Sequence, residues 1–196
     1  MWDERYAAED YFFGTEPNDF LAEFAHHLPA GPVLCLAEGE GRNAVFLAGR
    51  GHAVTAIDGA VEGRNKALRL AAERGVEIDY RVGDLAHFDP GEQQWAGIVS
   101  IFAHMPPPMR KKLHARLPDA LRPGGVLLLE AYTPEQLAHA TGGPPVEELM
   151  MTADMLREEL PGLEIVALQE IEREVIEGRG HTGTGAVVQL IARRPD

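Results

Sequence analysis

The chain reads as a doubly wound α/β protein with a mostly parallel sheet, on three observations. Short apolar runs alternate with helix-spaced stretches from Val33 to Glu130. Those runs are apolar almost throughout, as strands covered on both faces are. The tail then changes character. Two longer strand-like runs, residues 164–176 and 186–192, are joined by Gly178-Arg179-Gly180-His181-Thr182-Gly183-Thr184-Gly185, which predicts an antiparallel pair at the end of the sheet.

The elements follow in order. After Pro17, Asn18 is a fitting N-cap, and Phe20, Leu21, Phe24 and Leu28 recur at helical spacing until Pro29-Ala30-Gly31-Pro32. Val33-Leu34-Cys35-Leu36 is a first strand, Gly39-Glu40-Gly41 a tight loop, and Ala44 to Ala48 a helix. A second strand, Ala53-Val54-Thr55-Ala56-Ile57, stops at Asp58-Gly59 and leads into a helix through Ala67, Leu68, Leu70 and Ala71. Residues 76–82 read as the third strand, stopped by Gly83-Asp84, and residues 95–102 as the fourth, ending near His104. The next helix carries Met109, Leu113, Leu117 and Leu121, with Pro118 expected to distort it. Pro123-Gly124-Gly125 turns the chain into Val126-Leu127-Leu128-Leu129-Glu130.

Composition narrows the function classes. With 196 residues the chain holds one sizeable core and hardly two, so residues 1–196 are expected to form a single domain. The net charge of −13 repels phosphate backbones, so nucleic acid is not an expected partner. No apolar run has the length of a membrane helix, which argues against a membrane partner. Met1-Trp2-Asp3-Glu4-Arg5 lacks the pattern of a signal peptide, so the expected compartment is the cytoplasm. The single Cys35 excludes an internal disulfide and a multi-thiolate zinc site, and no histidine pair has metal-ligand spacing, so no metal is expected.

Gly39-Glu40-Gly41-Arg42-Asn43-Ala44 fits G-x-G-x-x-G/A between a strand and a helix, the context of a nucleotide-type cofactor. Asp58 ends the next strand, where a carboxylate can accept both hydroxyls of a ribose. Asp84 ends the third strand on the same edge and could accept an adenine amino group, or else close an Asx turn. Two cofactors compete, a nicotinamide dinucleotide and S-adenosylmethionine. A pyrophosphate wants bare N–H groups, whereas Glu38 and Glu40 flank Gly39 and suit a sulfonium and an ammonium, unless both point to solvent. No Tyr-x-x-x-Lys pair supports an oxidoreductase.

On these residues the chain resembles the class I S-adenosylmethionine-dependent methyltransferases, most closely their tellurite-resistance and thiopurine-type branch. The stretches that carry the likeness are Phe13-Gly14-Thr15-Glu16-Pro17-Asn18, residues 33–43, residues 54–58, Gly83-Asp84-Leu85, Leu121-Arg122-Pro123-Gly124-Gly125 and the tail from Glu177-Gly178 through His181 to Gln189-Leu190. The resemblance implies a seven-stranded sheet with an antiparallel last strand, and residues 1–30 as an N-terminal lid and helix. It places Gly39 and Gly41 close to the cofactor, Asp58 on its ribose, Asp84 and Leu85 on its adenine, and Ser100, Ile101 and Phe102 beside its methionine part. Trp2, Tyr6, Tyr11 and Phe13 would close over it. The pattern has an acidic residue where Cys35 stands and a glycine at Ala37. The hold on the methionine ammonium is then weakened unless Glu38 replaces the lost carboxylate. The cofactor-binding set read this way is Trp2, Phe13, Cys35, Ala37, Glu38, Gly39, Gly41, Asn43, Asp58, Gly59, Asp84, Leu85, Ser100, Ile101 and Phe102.

Methyl transfer needs alignment and a dry pocket more than side-chain chemistry, because the cofactor brings the reactivity. A soft sulfur, selenium or tellurium acceptor, the favoured small-molecule class, needs little help from a base, whereas oxygen or nitrogen needs one. His104, after the fourth strand, and His181, in the glycine-rich link, are the catalytic candidates, each with a structural role as its alternative. Arg173 and Arg179 are candidates for an anionic acceptor, Tyr132 and Thr133 for the acceptor pocket, and residues 141–145 for a loop over it. A cofactor-binding module without turnover is the reading from outside the enzymes.

Overall fold

The structure is a computed structural model that describes residues 2–196; Met1, part of the expected lid, lies outside them. Seven strands form one sheet in the order β3-β2-β1-β4-β5-β7-β6. β1 (Pro32–Leu36), β2 (Ala53–Asp58), β3 (Asp79–Val82), β4 (Trp95–Ile101) and β5 (Leu121–Tyr132) pair in parallel. β7 (His181–Arg193) runs antiparallel to both β5 and β6 (Glu164–Glu177). The expected doubly wound architecture with a reversed last strand is the one observed.

Alternation along the buried strands divides the core between two faces. Val33 and Cys35 of β1 pack with Phe20, Leu21, Leu47, Ala67 and Val99, against the helices α2 (Asp19–Phe24), α3 (Arg42–Gly49) and α4 (Val61–Glu73). Leu34 and Leu36 face the other way, onto Leu113, Leu117 and Leu156 of α5 (Pro107–His114), α6 (Leu117–Ala120) and α7 (Ala153–Glu159). Period-two side chains on a strand covered twice require this partition. Each fully buried leucine contributes about 1.5–3 kcal/mol relative to exposure.

Asn18 caps α2 as expected, its side chain accepting from the Leu21 amide at 2.9 Å. The helix expected around Pro118 is split at Ala115–Arg116, and Pro118 opens α6, where its missing N–H is harmless. Two expectations are corrected. The third strand begins at Asp79, not at Val76, because the Val76 and Gly75 amides close the end of α4 onto Ala71 and Ala72, with Gly75 at φ 68°. That is a Schellman cap, and it withholds Val76 from the sheet.

The second correction concerns the glycine-rich link of residues 178–185. Only Gly178-Arg179-Gly180 turn, and β7 already starts at His181, paired with Glu177. The glycines there mark close packing instead of freedom. A Cβ on Gly180 would lie 2.4 Å from the Phe12 ring and 2.5 Å from that of Phe13, and one on Gly183 2.6 Å from Thr141. The Phe12 carbonyl accepts from the Arg179 and Gly180 amides, which ties this turn to the N-terminal segment.

Candidate functional site

Strand order reverses between β1 and β4, and the carboxyl ends of the strands beside that point open a crevice. The loop after β1 is built from the backbone outward. Gly39 and Gly41 adopt φ of 60° and 91°, where side chains are disfavoured. A Cβ on Gly41 would stand 2.4 Å from Cβ of Ala67, so this glycine lets α3 and α4 meet. Asp58, at the end of β2, accepts from the Gly39 amide at 3.0 Å and from the Ala60 amide at 2.8 Å. Burial pushes its carboxyl up, and those two amides oppose the rise.

Glu38 and Glu40 are both buried, so neither points to solvent. Glu38 accepts from the Ala44 amide at 2.7 Å in the first turn of α3 and from the Cys35 thiol beneath it. Its burial outweighs these bonds and raises its carboxyl to about 7. Glu40 accepts from Lys66 Nζ at 2.7 Å and from the amides of Phe12 and Phe13. It is the anchor that holds the N-terminal segment over the loop. Tyr6 of α1 (Trp2–Tyr6) lies on the same loop, with its hydroxyl 2.8 Å from where a Gly39 Cβ would stand.

A cleft of about 400 Å³ opens at this edge. Of the residues read from the sequence, Trp2, Ala37, Asp58, Gly59, Asp84, Leu85 and His104 line it. Val82, Gly83, Met105 and Met109 line it too and were not read as site residues from the sequence. Asp84 is exposed and closes an Asx turn, accepting from the Ala86 amide at 2.9 Å and meeting His87 Nδ1 at 3.0 Å. The Ala86 and His87 bonds hold its carboxyl below the usual range. Glu38, Gly39 and Gly41 form the loop behind the cleft. Cys35 is fully buried in the core, Ser100 and Ile101 are buried in β4, and Asn43 is buried with its Oδ1 on the Asn18 amide at 2.9 Å.

Phe13 and Phe102 belong to a neighbouring aromatic cluster. The His181 ring lies 4.6 Å from Phe13, 4.8 Å from Phe102 and 5.1 Å from Tyr132. Phe102 holds φ 50° just past the end of β4, a left-handed conformation that turns the chain at the cleft. The two histidines differ sharply. His104 Nδ1 bonds the Leu149 carbonyl at 2.9 Å and Nε2 accepts from the Tyr132 amide at 3.3 Å, so backbone groups occupy both nitrogens. Burial lowers its pKa to about 4, which keeps it neutral. His181 bonds Glu177 through Nδ1 at 3.1 Å, and its Nε2 carries no hydrogen bond among the described residues.

The arginines are committed. Arg42 turns away from the loop to Glu177, at 2.7 Å, and Arg173 forks onto Glu130 at 2.7 and 2.8 Å. Arg179 pairs with Asp10 at 3.2 Å and lies over the Phe12 ring. Glu130 and Glu177 were not read as site residues from the sequence, although Glu177 stands in the tail that carries the resemblance. A carboxylate inside the apolar run Val126 to Tyr132 is itself the readable sign of a buried pair. Among the described residues, no group of three or more His, Cys, Asp or Glu is placed to hold a metal, and no helix is long and apolar enough to cross a membrane.

Residues 33–125 match the protein family described as a methyltransferase domain. The matched span runs from β1 into β5 and contains the glycine loop, Asp58 and Asp84. The chain is 29% identical over 122 residues to a 2-heptyl-1-hydroxyquinolin-4(1H)-one methyltransferase of Mycobacteroides abscessus, covering 60% of this chain and 54% of that one. It is 34% identical over 121 residues to a ubiquinone biosynthesis O-methyltransferase of Xanthomonas campestris, covering 59% of this chain and 50% of that one. The chain thus spans about half the length of the curated relatives it matches. Among solved structures, one that concerns the conversion of a disulfide bond into a thioacetal group during echinomycin biosynthesis superposes with a TM-score of 0.79 at 21% identity, covering 99% of this chain and 91% of that one. A SAM-dependent methyltransferase from Methanosarcina mazei gives 0.65 at 19%, covering 88% and 97%. TehB from Haemophilus influenzae gives 0.71 at 18%, covering 89% and 61%. The fold is that of the S-adenosylmethionine-dependent methyltransferases.

Proposed function

We propose that this chain is an enzyme that transfers the methyl group of S-adenosylmethionine to a small-molecule acceptor. One observation carries the reading. The Asp58 carboxylate is fastened to the glycine loop through the Gly39 amide and lines a cleft at the carboxyl ends of β1 and β2. The cleft has the size of a small-molecule site, and its wall passes from that acid to apolar Leu85, Met105 and Met109, which suits a nucleoside. In this reading Asp58 takes the ribose, while Asp84 and Leu85 take the adenine with Gly59 and Gly83 giving it room. Ala37, Gly39 and Gly41 shape the backbone beside the methionine part, and Glu38 takes over the charge missing at Cys35. Ser100, Ile101 and Asn43 support that wall from behind. Trp2, Tyr6 and Phe13 cover the site, with residues 1–30 acting as lid and helix of a single domain that works in the cytoplasm. The cofactor, when bound, supplies an electrophilic methyl on a sulfonium. His181 is the base, because His104 has no nitrogen to offer.

The names of the relatives support a small-molecule acceptor. A soft acceptor in the manner of the tellurite-resistance and thiopurine-type branch is the second reading. It is favoured by the resemblance of residues 33–43 and by the disulfide-to-thioacetal chemistry that the echinomycin neighbour concerns. A nicotinamide dinucleotide is disfavoured, since buried Glu38 and Glu40 flank the loop while Arg42 is spent on Glu177. Isothermal titration with S-adenosylmethionine, S-adenosylhomocysteine and NAD tests the cofactor. Binding of the first two is expected, and binding of NAD alone overturns the proposal. Release of S-adenosylhomocysteine in a screen of thiols, selenite, tellurite, phenols and hydroxyquinolines separates an enzyme from a binding module, which would release none.

A further inference from the structure

His181 and Glu177 face each other across the tightest point of the β6–β7 hairpin, the last pair before the turn. The carboxylate of Glu177 is buried and receives three donors, Arg42 at 2.7 Å, Asn18 Nδ2 at 2.8 Å and His181 Nδ1 at 3.1 Å. Burial alone would push this carboxyl up, but His181, Arg42 and Asn18 outweigh it and hold the group down to about 2, so it stays a carboxylate. Asn18 also donates to Glu130 at 2.6 Å, and Glu130 receives Arg173 and Gln189. Two buried carboxylates, two arginines and two amides thus clamp one oxygen against Nδ1 of a histidine. A carboxylate accepts and cannot donate, so Nδ1 must carry a proton, and in the neutral ring Nε2 is then the nitrogen that carries the lone pair. The ring itself is wedged among Phe13, Phe102 and Tyr132, and Gly142 lies against its Cδ2.

We propose that Glu177 is a positioning residue that fixes His181 as an Nε2 base, and that the acceptor is therefore a protic one, bearing a hydroxyl or N–H that must be deprotonated. This deepens the methyltransferase reading and rests on it. As the acceptor attacks, its proton passes to Nε2 and its electron pair forms the new bond to the methyl carbon, with the former C–S pair left on sulfur as a neutral thioether. His181 becomes an imidazolium, and the Glu177 carboxylate, already ionised, offsets the new charge without taking a proton. An acceptor already ionised at neutral pH, such as a thiolate, would gain nothing from this arrangement.

The test begins with ¹⁵N-histidine NMR on the whole protein, with His181 assigned by the signal lost in His181→Gln. Neutral His181 is expected as the Nδ1–H form in the wild type, and Glu177→Gln should shift it toward Nε2–H. Glu177→Asp, which withdraws the charge by one methylene, should give a mixture and serves if Glu177→Gln fails to fold. An Nε2–H wild type, or identical tautomers in every folded variant, overturns the proposal whether or not an acceptor is in hand. Titration with S-adenosylhomocysteine on the same samples keeps the two readings apart, because absent binding in the wild type sinks the methyltransferase reading and leaves the tautomer result standing. With 4-hydroxyquinoline and thiophenolate as probes, His181→Gln should lose about 10²–10⁴-fold in kcat on the first and little on the second. Glu177→Gln should show the same selectivity at smaller size, with cofactor affinity unchanged. Equal losses on both probes contradict the protic assignment.

Discussion

Asp58 works twice, on the loop backbone and on the proposed cofactor, and Asp58→Ala removes both roles at once. Its carboxylate fastens the Gly39 amide and, in the proposed function, takes the cofactor ribose through charge-assisted bonds worth roughly 1.5–3 kcal/mol each. Asp58→Ala is expected to weaken S-adenosylhomocysteine binding at least about tenfold by titration calorimetry. An unchanged dissociation constant would refute the ribose assignment. Glu38 offers a test by pH. Its carboxyl is raised to about 7 in the fold against about 4.3 in an unfolded chain, so the folded state holds the proton more tightly. The stability tied to that proton is complete below about pH 4.3 and is lost as pH rises through 7. Glu38→Gln keeps an acceptor for the Ala44 amide and has nothing to ionise. From pH 5 to pH 8 the stability gap in urea should move in favour of the variant by on the order of 2 kcal/mol. Asp58 and Asp84 were legible in the sequence because strand ends followed by Asp-Gly or Gly-Asp can be seen within a few residues of chain. The pairing of Glu177 and Glu130 was not, because their partners Asn18, Arg42 and Arg173 come from remote segments that only the sheet order brings together, although Glu130 inside its apolar run shows that it needs a partner.

At the scale of elements, glycines carried most of the misreading and also supply the next tests. The run from Gly178 to Gly185 reads as a flexible link, yet five of its residues lie in β7, and Gly180 and Gly183 are small because rings and methyls press on them. Composition alone does not distinguish a glycine needed for motion from one needed for contact. Gly180→Ala is expected to lift Phe12 and Phe13 from the turn. It should loosen the N-terminal segment and weaken S-adenosylhomocysteine binding, with only a small change in Tm, because ring ends can swing aside. Limited proteolysis of residues 2–16 and calorimetry on the same sample check this. Gly41→Ala differs in kind. The new methyl would meet Ala67 Cβ at 2.4 Å and its Cα at 2.7 Å, from a backbone at φ 91°. Backbone does not yield as a ring does, so a loss of at least about 2 kcal/mol in denaturant unfolding is expected. The third strand was overdrawn for a related reason. Val76 has strand-like character but spends its amide on the end of α4.

For the whole molecule, architecture was the part most legible in the sequence. Continuous apolar runs and helix-spaced stretches encode a doubly wound sheet locally, and the change of pattern after residue 164 encodes its reversed edge. The fold also builds an acid sensitivity into its buried network. Glu177 is held down to about 2, below the roughly 4.3 of an unfolded glutamate, so its contribution is present above that value and is lost as pH falls toward 2. Wild-type stability should therefore decline between about pH 4.3 and pH 2, by on the order of 2 kcal/mol from this group, and Glu177→Gln should flatten that part of the curve. The central claim is that the cleft between Ala37, Asp58 and Leu85 is the seat of an S-adenosylmethionine-type cofactor. A crystal structure with S-adenosylhomocysteine tests it most directly. The ribose hydroxyls are expected within hydrogen-bond reach of Asp58 and the adenine against Leu85, whereas a ligand bound elsewhere, or an empty cleft at saturating S-adenosylhomocysteine, would contradict the claim.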